Sequence, residues 1–533
     1  MNTFSIGMEA VLDPTTLICL LVGLAIGTMV GVFPGITGSM AVALASGFTL
    51  TLEPVQGLAV LLSIYVGANY GDRIPSILVN TPGTPAAIAT TFDGYPMAKQ
   101  GKAGLALVMS SMVSTVGILA SMVLFILAAQ PVAQLALKFG PPEMFALVVF
   151  GLTIMISISS KSLVKGVLAG LIGLTIATIG RDPITGDQRF TFGLNDLTGG
   201  LDFIAVIIGL FGIAELFDQL LTYREQKVKP ISSLGRVWPT KAEYRQVAKP
   251  TALGTGIGAF VGVVPAAGGD IAGLIGWDRA RGMSKEKEKF GKGSIEGISA
   301  ADSASSATLG GSLTTTMALG IPGDSVMAVM IGSMVIWGLQ PGPQLFTNRP
   351  DLVVSIAAIM ILATIVSFGV SLVRMRGMVR LMDLPNHYVW SAILIFCLVG
   401  TYTVTNNVYT VIVMLVSGVI GLIMKRTGFP AGPVVLGLLL GPLAESNLRR
   451  SLLIDGPTVF FTHPISLTLL ILAAVSIAIP IIGKARAARS GKASGSLEDQ
   501  LVDRTAREAG YDAGSGTSTD TAQDAEADRS GSK

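Results

Sequence analysis

Charged residues are scarce in this chain of 533 residues, since Asp, Glu, Lys and Arg together make up only 13% of it. Soluble domains carry roughly twice that share. Aromatic residues are also few, at 6%, and no strand-like alternation is sustained, which argues against a membrane β-barrel. Half of the residues are hydrophobic and the mean hydropathy is +0.66. The composition therefore predicts an all-α polytopic membrane protein, whose helices satisfy their own backbone groups inside lipid.

Groups that commonly carry catalysis or bind metals are few as well. The two cysteines, Cys19 and Cys397, lie in apolar runs without metal or redox spacing, and the two histidines stand at the edges of apolar segments. The chain has no His-Glu zinc motif, no nucleophile elbow and no phosphate-binding loop. The prediction is a protein that is not an enzyme and that has no catalytic residue, metal or cofactor.

Long apolar runs recur along the chain, and about ten to twelve of them are long enough to cross roughly 30 Å of hydrocarbon. Examples are residues 17–33, 103–129, 201–221, 352–373 and 464–482. The 64 glycines recur inside such runs, where a glycine permits close helix packing or marks a break in a helix.

The chain contains an internal repeat. Residues 23–38 (GLAIGTMVGVFPGITG) match residues 254–269 (GTGIGAFVGVVPAAGG) at eight of sixteen positions, at an offset of 231. A weaker match aligns Gly71 and the sequence NTPGTP with Gly311 and GIPGDS at an offset of 240. These matches predict two structurally similar halves.

Loop charges predict that the two halves have opposite orientations, because cytoplasmic loops collect Lys and Arg. Residues 53–56 carry no basic residue, whereas the matching stretch 278–292 carries six. The linker 222–249 holds seven basic residues and two acidic ones, so it is expected in the cytoplasm. This assignment puts the N-terminus outside and the C-terminus in the cytoplasm.

The predicted domains follow from these features. Residues 1–228 form the first membrane repeat, 229–249 the basic cytoplasmic linker, 250–445 the second repeat, 446–489 a final membrane helix and 490–533 a cytoplasmic tail. The tail is expected to be disordered because it is rich in Gly, Ser, Asp and Thr and poor in apolar residues.

Inverted repeats with Gly and Pro interruptions at matching places are typical of secondary transporters, which bind substrate near the membrane midplane. A helix that begins after such a break presents unpaired N–H groups that suit a carboxylate. The predicted substrate-binding residues are those of the breaks and the polar residues around them: Pro34, Gly35, Gly38, Asn69, Tyr70, Arg73, Asn80, Thr81, Pro82, Gly83, Thr84, Pro265, Gly269, Ser303, Ser305, Ser306, Pro322 and Gly323.

Several ionisable residues at membrane depth have two interpretations each. Arg73 is able to bind a substrate carboxylate through two hydrogen bonds, but it is equally able to pair with Asp72 or to reach the membrane interface. Asp93, Asp302 and Asp324 are candidates for ion coupling, with structural capping as the alternative for Asp302 and Asp324.

The stretch IYVGANYGDRIPSILVNTPGTPAAIATTFDGYPMAKQG, residues 64–101, resembles the large membrane subunit, TctA-type, of the tripartite tricarboxylate transporter family. Further motifs of the same resemblance are GVFPGITG at 31–38, RDPITGDQRFTFG at 181–193, GVVPAAGG at 262–269, FGKGSIEGISAADSASSA at 290–307, GIPGD at 320–324 and LQPGPQLF at 339–346. The chain departs from the family pattern at Pro265-Ala266, at residues 301–306 and at Asp72-Arg73.

The resemblance implies import of tricarboxylates or related carboxylates across the bacterial inner membrane, driven by a Na⁺ or proton gradient. It also implies two partners, a small membrane subunit of about four helices and a soluble extracytoplasmic solute-binding protein. The alternative hypothesis is a stand-alone carboxylate permease or channel that needs no binding protein.

Overall fold

The computed structural model describes residues 3–33, 36–159, 162–182, 184–222, 234–265, 267–381, 386–454 and 456–489. The predicted site residues Pro34 and Gly35, the first part of the predicted linker and the predicted tail 490–533 lie outside these ranges.

Helices account for nearly all regular structure in the described residues. Those before the central linker are α1 (Thr3–Leu12), α2 (Pro14–Val32), α3 (Gly38–Thr49), α4 (Pro54–Gly71), α5 (Arg73–Leu78), α6 (Ile88–Met97), α7 (Ala103–Ala136), α8 (Pro141–Ser159), α9 (Leu163–Ile176), α10 (Phe203–Ile207) and α11 (Ala214–Thr222). Short 3₁₀ turns lie at Pro85–Ala87 and Asn195–Leu197, and π-helical turns at Ala98–Lys102 and Ile208–Ile213.

The helices after the linker are α12 (Lys241–Val263), α13 (Gly268–Met283), α14 (Ile295–Leu319), α15 (Ser325–Ile336), α16 (Pro343–Asn348), α17 (Pro350–Leu381), α18 (Asn386–Thr405), α19 (Val408–Thr427), α20 (Ala431–Ile454), α21 (Val459–Thr462) and α22 (Pro464–Arg489). A 3₁₀ turn lies at Lys287–Lys289. Helix α12 begins inside the predicted linker, and α20 runs across the predicted boundary at residue 445.

The described helices confirm an all-α polytopic membrane protein. Six are long and apolar enough to cross a membrane: Pro14–Val32, Pro85–Ala136, Phe203–Leu221, Pro350–Val373, Val408–Thr427 and Ala431–Ile454. Shorter apolar helices of 10 to 14 residues are α1, α3, α9 and α15, of which α3 and α15 begin next to Gly and Pro breaks. The breaks thus shorten helices that the hydropathy of the sequence alone suggests are continuous.

Glycine stripes hold two helix pairs in close contact. On α2, a Cβ added to Gly27 would lie 2.3 Å from the carbonyl oxygen of Ile64 on α4. On α12, a Cβ added to Gly258 would lie 2.0 Å from the carbonyl oxygen of Ala304 on α14. Small residues let helix backbones approach closely in membranes, where apolar burial against lipid gives little driving force. The glycines recurring at every fourth position of α2 and α12 therefore join each pair backbone to backbone.

Helices that precede the central linker also pack against helices that follow it. Helix α7 packs along α14, and α17 packs along α4. Likewise α9 packs along α20, while α19 packs along the helical segment 203–222 made by α10, a π-helical turn and α11. The two parts are therefore interlocked rather than placed side by side.

A small hairpin occupies the loop between α9 and α10, where the motif RDPITGDQRFTFG lies. Strand β1 (Gly180–Arg181) pairs antiparallel with β2 (Gln188–Arg189). Asp182 accepts hydrogen bonds from the backbone N–H groups of Ile184 and Thr185, which, with Arg449, lower the pKa of its carboxyl to about 2. Arg189 binds Glu445 at 2.7 Å, so this network ties the hairpin to α20.

Candidate substrate cavity

A cavity of about 370 Å³ lies where the helix breaks of both halves meet. Its lining comes from α4, α14 and the starts of the helices that follow the breaks, and also from α11, α19 and the start of α20. Its polar and charged lining residues are Thr37, Ser39, Tyr65, Asn69, Asp72, Thr84, Glu215, Asp270, Ser305, Thr308, Asp324, Ser325 and Lys425. Its volume falls within the range of small-molecule sites.

Four helices begin at the cavity wall. Helix α3 begins at Gly38, α13 at Gly268, α15 at Ser325 and α20 at Ala431, and all four residues line the cavity. The turn Thr84-Pro85, which leads into α6, lines it as well. The first N–H groups of a helix have no partner within the helix, and the helix dipole places partial positive charge there. The cavity thus receives the positive ends of several broken helices.

The structure places only some of the predicted site residues on the cavity wall. Gly38, Asn69, Thr84, Gly269, Ser305 and Asp324 line it. The other described ones do not belong to its lining: Tyr70, Arg73, Asn80, Thr81, Pro82, Gly83, Asp93, Pro265, Asp302, Ser303, Ser306, Pro322 and Gly323.

Arg73 lies behind the cavity wall, with only 2% of its side chain exposed. Its guanidinium donates to Asp72 at 2.8 Å and to the hydroxyls of Ser305 and Ser306 at 2.8 Å each, and its Nε lies 3.6 Å from Asp302. The structure therefore favours the internal ion pair with Asp72 over direct substrate binding by Arg73.

This arginine positions residues that do reach the cavity. Asp72 and Ser305 each bind Arg73 and line the cavity, while Ser306 donates to the side chain of Asn69 at 2.9 Å. The second carboxylate oxygen of Asp72 accepts from Thr84 at 2.5 Å. The Arg73 network consequently holds lining residues at the end of α4, on α14 and after the Pro82-Gly83 turn in fixed positions relative to one another.

The Pro-Gly turns at 82–83 and 322–323 are close-packed rather than open to the cavity. A Cβ on Gly83 would lie 2.4 Å from the carbonyl oxygen of Gly31, and one on Gly323 would lie 2.4 Å from the Cα of Ser312. These glycines let the first turn pack tightly against α2 and the second against α14, and the residues immediately after the turns, Thr84 and Asp324, line the cavity.

Asp93 anchors a loop away from the cavity. One of its carboxylate oxygens accepts from the backbone N–H groups of Gly291, Gly293 and Ser294 at 2.7 to 3.0 Å, and the other accepts from the indole N–H of Trp277 at 2.7 Å. A carboxylate engaged in this way supports the packing of the loop that leads into α14. Its geometry favours a structural role over ion coupling.

The remaining ion-coupling candidates differ in access. Asp302 is fully buried beside Arg73 and accepts a hydrogen bond from Thr90. Asp324 lines the cavity, caps α15 through the backbone N–H of Met327 at 2.8 Å and accepts a hydrogen bond from Tyr65. Asp324 therefore combines the capping role with exposure to the cavity, whereas Asp302 belongs to the Arg73 network.

Several lining residues were not among the predicted site residues. Tyr65 and Thr308 lie in helices whose sequence shows no break, and Asp270 lies in the first turn of α13. Lys425 and Glu215 stand near the ends of apolar runs, where charges are ordinarily interpreted as topology signals. An acidic residue follows each break of the second half, at Asp270 and at Asp324. This recurrence is the one sequence signal that could have identified Asp270.

Comparison with known proteins assigns the chain to a family. Residues 17–436 match the model of the Tripartite tricarboxylate transporter TctA family. The chain belongs to this family. The match covers all of the helices that surround the cavity except the C-terminal part of α20.

Two relatives come from Agrobacterium vitis. One is an uncharacterized 52.8 kDa protein in the TAR-I ttuC' 3' region, 35% identical over 492 residues, covering 92% of this chain and 97% of the relative. The other is an uncharacterized protein in the TAR-II ttuC' 3' region, 33% identical over 234 residues, covering 44% of this chain and 97% of that relative. No solved structure matches the chain. Membership of the TctA family makes the chain a component of a transporter.

Proposed function

We propose that the chain is the permease subunit of a tripartite, binding-protein-dependent secondary transporter that imports tricarboxylates or related organic carboxylates. Transport is coupled to a Na⁺ or proton gradient. The observation that carries the proposal is the cavity at which α3, α13 and α15 begin. Helix N-termini favour anions, and carboxylates are the anions implied by the family.

The charge of the cavity lining supports coupling to a cation. Asp270 and Asp324 lie at two of the helix N-termini, and Asp72, which pairs with Arg73, lines the same cavity. A carboxylate substrate entering beside these groups meets like charges in a medium that screens poorly. Uptake of Na⁺ or a proton together with the substrate offsets that repulsion.

The packing contacts support two related halves. Gly23, Gly27 and Gly31 contact carbonyl oxygens of residues 60, 64 and 68, while Gly254, Gly258 and Gly262 contact those of residues 300, 304 and 308. The glycines are related by the offset of 231 and their partners by the offset of 240, the two offsets found in the sequence. Together with the opposite loop charges, these contacts favour an inverted repeat.

The charge distribution also supports the proposed orientation in the bacterial inner membrane, with the N-terminus outside. Lys425 lies in the last turn of α19 and pairs with Glu215 and Asp218 of α11, the helix that precedes the basic linker. If that linker is cytoplasmic, Lys425 and its partners on α11 lie toward the cytoplasmic side.

The proposed partners are a small four-helix membrane subunit and an extracytoplasmic solute-binding protein. They rest on the tripartite family to which the chain belongs. A stand-alone permease or channel is the alternative.

The test is uptake of radiolabelled citrate and succinate into vesicles that contain the permease, with or without the two partner proteins. Uptake is measured under an imposed Na⁺ gradient, an imposed proton gradient, or neither. We expect uptake to require one gradient and both partners. Gradient-independent uptake contradicts secondary transport, and full uptake without the partners supports the stand-alone alternative.

A further inference from the structure

We infer that Lys425 forms a second carboxylate subsite in the cavity, so that it distinguishes substrates with two or more carboxylates from those with one. This inference rests on the proposed function and specifies which part of the cavity recognises which part of the substrate. Its basis is the position of Lys425 relative to the helix N-termini and to two acidic residues.

Lys425 is the one basic residue among the described residues of the cavity lining. The acidic residues there are Asp72, Glu215, Asp270 and Asp324, and Asp72 is already paired with Arg73 behind the wall. An anionic group that approaches this lining meets a formal positive charge only at Lys425. The starts of α3, α13 and α15, which suit the other end of the substrate, line the same cavity and belong to elements other than α19.

The ammonium group of Lys425 is held by side chains that a substrate can replace. Its Nζ lies 2.6 Å from Glu215 and 2.8 Å from Asp218, both on α11. Arg426 also approaches Asp218, at 3.4 Å. Lysine has three N–H donors, so a substrate carboxylate can bind the remaining donor or displace Glu215. Because 44% of the Lys425 side chain is exposed, this exchange requires little rearrangement.

Glu215 therefore holds the position on Lys425 that a substrate carboxylate can take. A dicarboxylate places one carboxylate at the helix N-termini and the other at Lys425, while a monocarboxylate reaches only one of these positions. Recognition of a second carboxylate by a charge-assisted hydrogen bond favours the dicarboxylate by about tenfold or more.

The experiment compares succinate with butyrate, which has the same number of carbons and lacks the second carboxylate. Binding of each to the full-length permease in nanodiscs is measured for the wild type, Lys425→Met, Lys425→Arg and Lys165→Met. Lys165 is a matched control because its Nζ donates to the carbonyl of Thr427 at 2.5 Å, near Lys425, but it does not belong to the cavity lining.

We expect the wild type, Lys425→Arg and Lys165→Met to prefer succinate by about tenfold or more, in line with a charge-assisted hydrogen bond. Lys425→Met should lose this preference through weaker succinate binding, with butyrate binding unchanged. A preference that survives Lys425→Met overturns the subsite while leaving the proposed function intact. If the wild type binds neither compound nor citrate, the proposed function fails, and the subsite fails with it.

A second variant keeps the inference testable if Lys425→Met does not fold. Glu215→Gln keeps Lys425 and removes the charge that competes with substrate for it. We expect succinate to bind several-fold more tightly to this variant and butyrate to bind as it does to the wild type. Equal changes for both compounds contradict the assignment.

Discussion

Substitution of Gly258 by alanine tests how the helices that carry the cavity are held together. A Cβ at this position would lie 2.0 Å from the carbonyl oxygen of Ala304 and 2.9 Å from its Cα. Both atoms belong to the backbone of α14, so no side-chain rotation relieves the clash. Since an ordinary contact begins near 3.4 Å, α12 and α14 must separate locally by about 1.4 Å.

The magnitude follows from two opposing effects. Overpacking of a close-packed interface costs about 1–3 kcal/mol, and a backbone-to-backbone clash belongs at the upper end of that range. Replacing a helical glycine by alanine contributes about 1 kcal/mol in the opposite direction. We therefore expect Gly258→Ala to destabilise the protein by about 2 kcal/mol.

Gly256→Ala is the matched control. Gly256 lies on the same helix, and a Cβ there meets no described atom within 4 Å. The gain in helix propensity is common to both variants, so their difference isolates the packing cost of about 3 kcal/mol. Gly27→Ala on α2 should behave like Gly258→Ala, because its Cβ would lie 2.3 Å from the carbonyl oxygen of Ile64.

Thermal unfolding of the detergent-solubilised variants, followed by the loss of the monodisperse species, measures these differences. We expect Gly258→Ala and Gly27→Ala to unfold several degrees below the wild type, and Gly256→Ala at or above it. Equal unfolding temperatures for Gly258→Ala and Gly256→Ala would refute the role of the glycine stripe.

Two further substitutions separate structural from substrate-binding roles. Asp93→Ala leaves the buried N–H groups of Gly291, Ser294 and Trp277 without their acceptor. We therefore expect the free energy of unfolding to fall by about 3 kcal/mol or more, while uptake per folded molecule is retained. Loss of ion coupling at normal stability would instead assign Asp93 to ion coupling. Arg73→Met leaves Asp72 and Asp302 buried without their cation, so we expect the free energy of unfolding to fall by about 3–5 kcal/mol and little folded protein to form. Arg73→Lys should fold but bind citrate more weakly. Normal stability of Arg73→Met with loss of citrate binding alone would instead indicate direct contact with substrate.

Much of the architecture was predictable from the sequence because its signals are local. Hydropathy identifies the membrane helices, and Gly and Pro identify the breaks that bring Thr84, Asp324 and the start of α13 to the cavity. Each of these features depends on residues within one or two helical turns, so no knowledge of distant contacts is needed.

The parts that sequence did not predict depend on long-range contacts. For Arg73 the sequence left substrate binding and pairing with Asp72 equally open, because its further partners Ser305 and Ser306 lie more than 230 residues away along the chain. Asp93 is similarly committed to the loop before α14. Lys425 was missed because a lysine at the end of an apolar run indicates topology, and only the packing of α19 on the segment 203–222 reveals that it lines a cavity.

The glycine contacts constrain where movement can occur during the proposed transport cycle. Helices α2 and α4, and likewise α12 and α14, touch backbone to backbone, so sliding within either pair produces immediate clashes. The segment 203–222 is joined to α19 in the same way, since a Cβ on Gly209 would lie 2.4 Å from the carbonyl oxygen of Met414. The cavity lies between these units rather than within one of them. We therefore expect alternating access to move α4 and α14, with the breaks that follow them, against the wall formed by α11 and α19. In this arrangement Lys425 and the breaks that follow α4 and α14 belong to different moving parts, and a substrate with two carboxylates joins them.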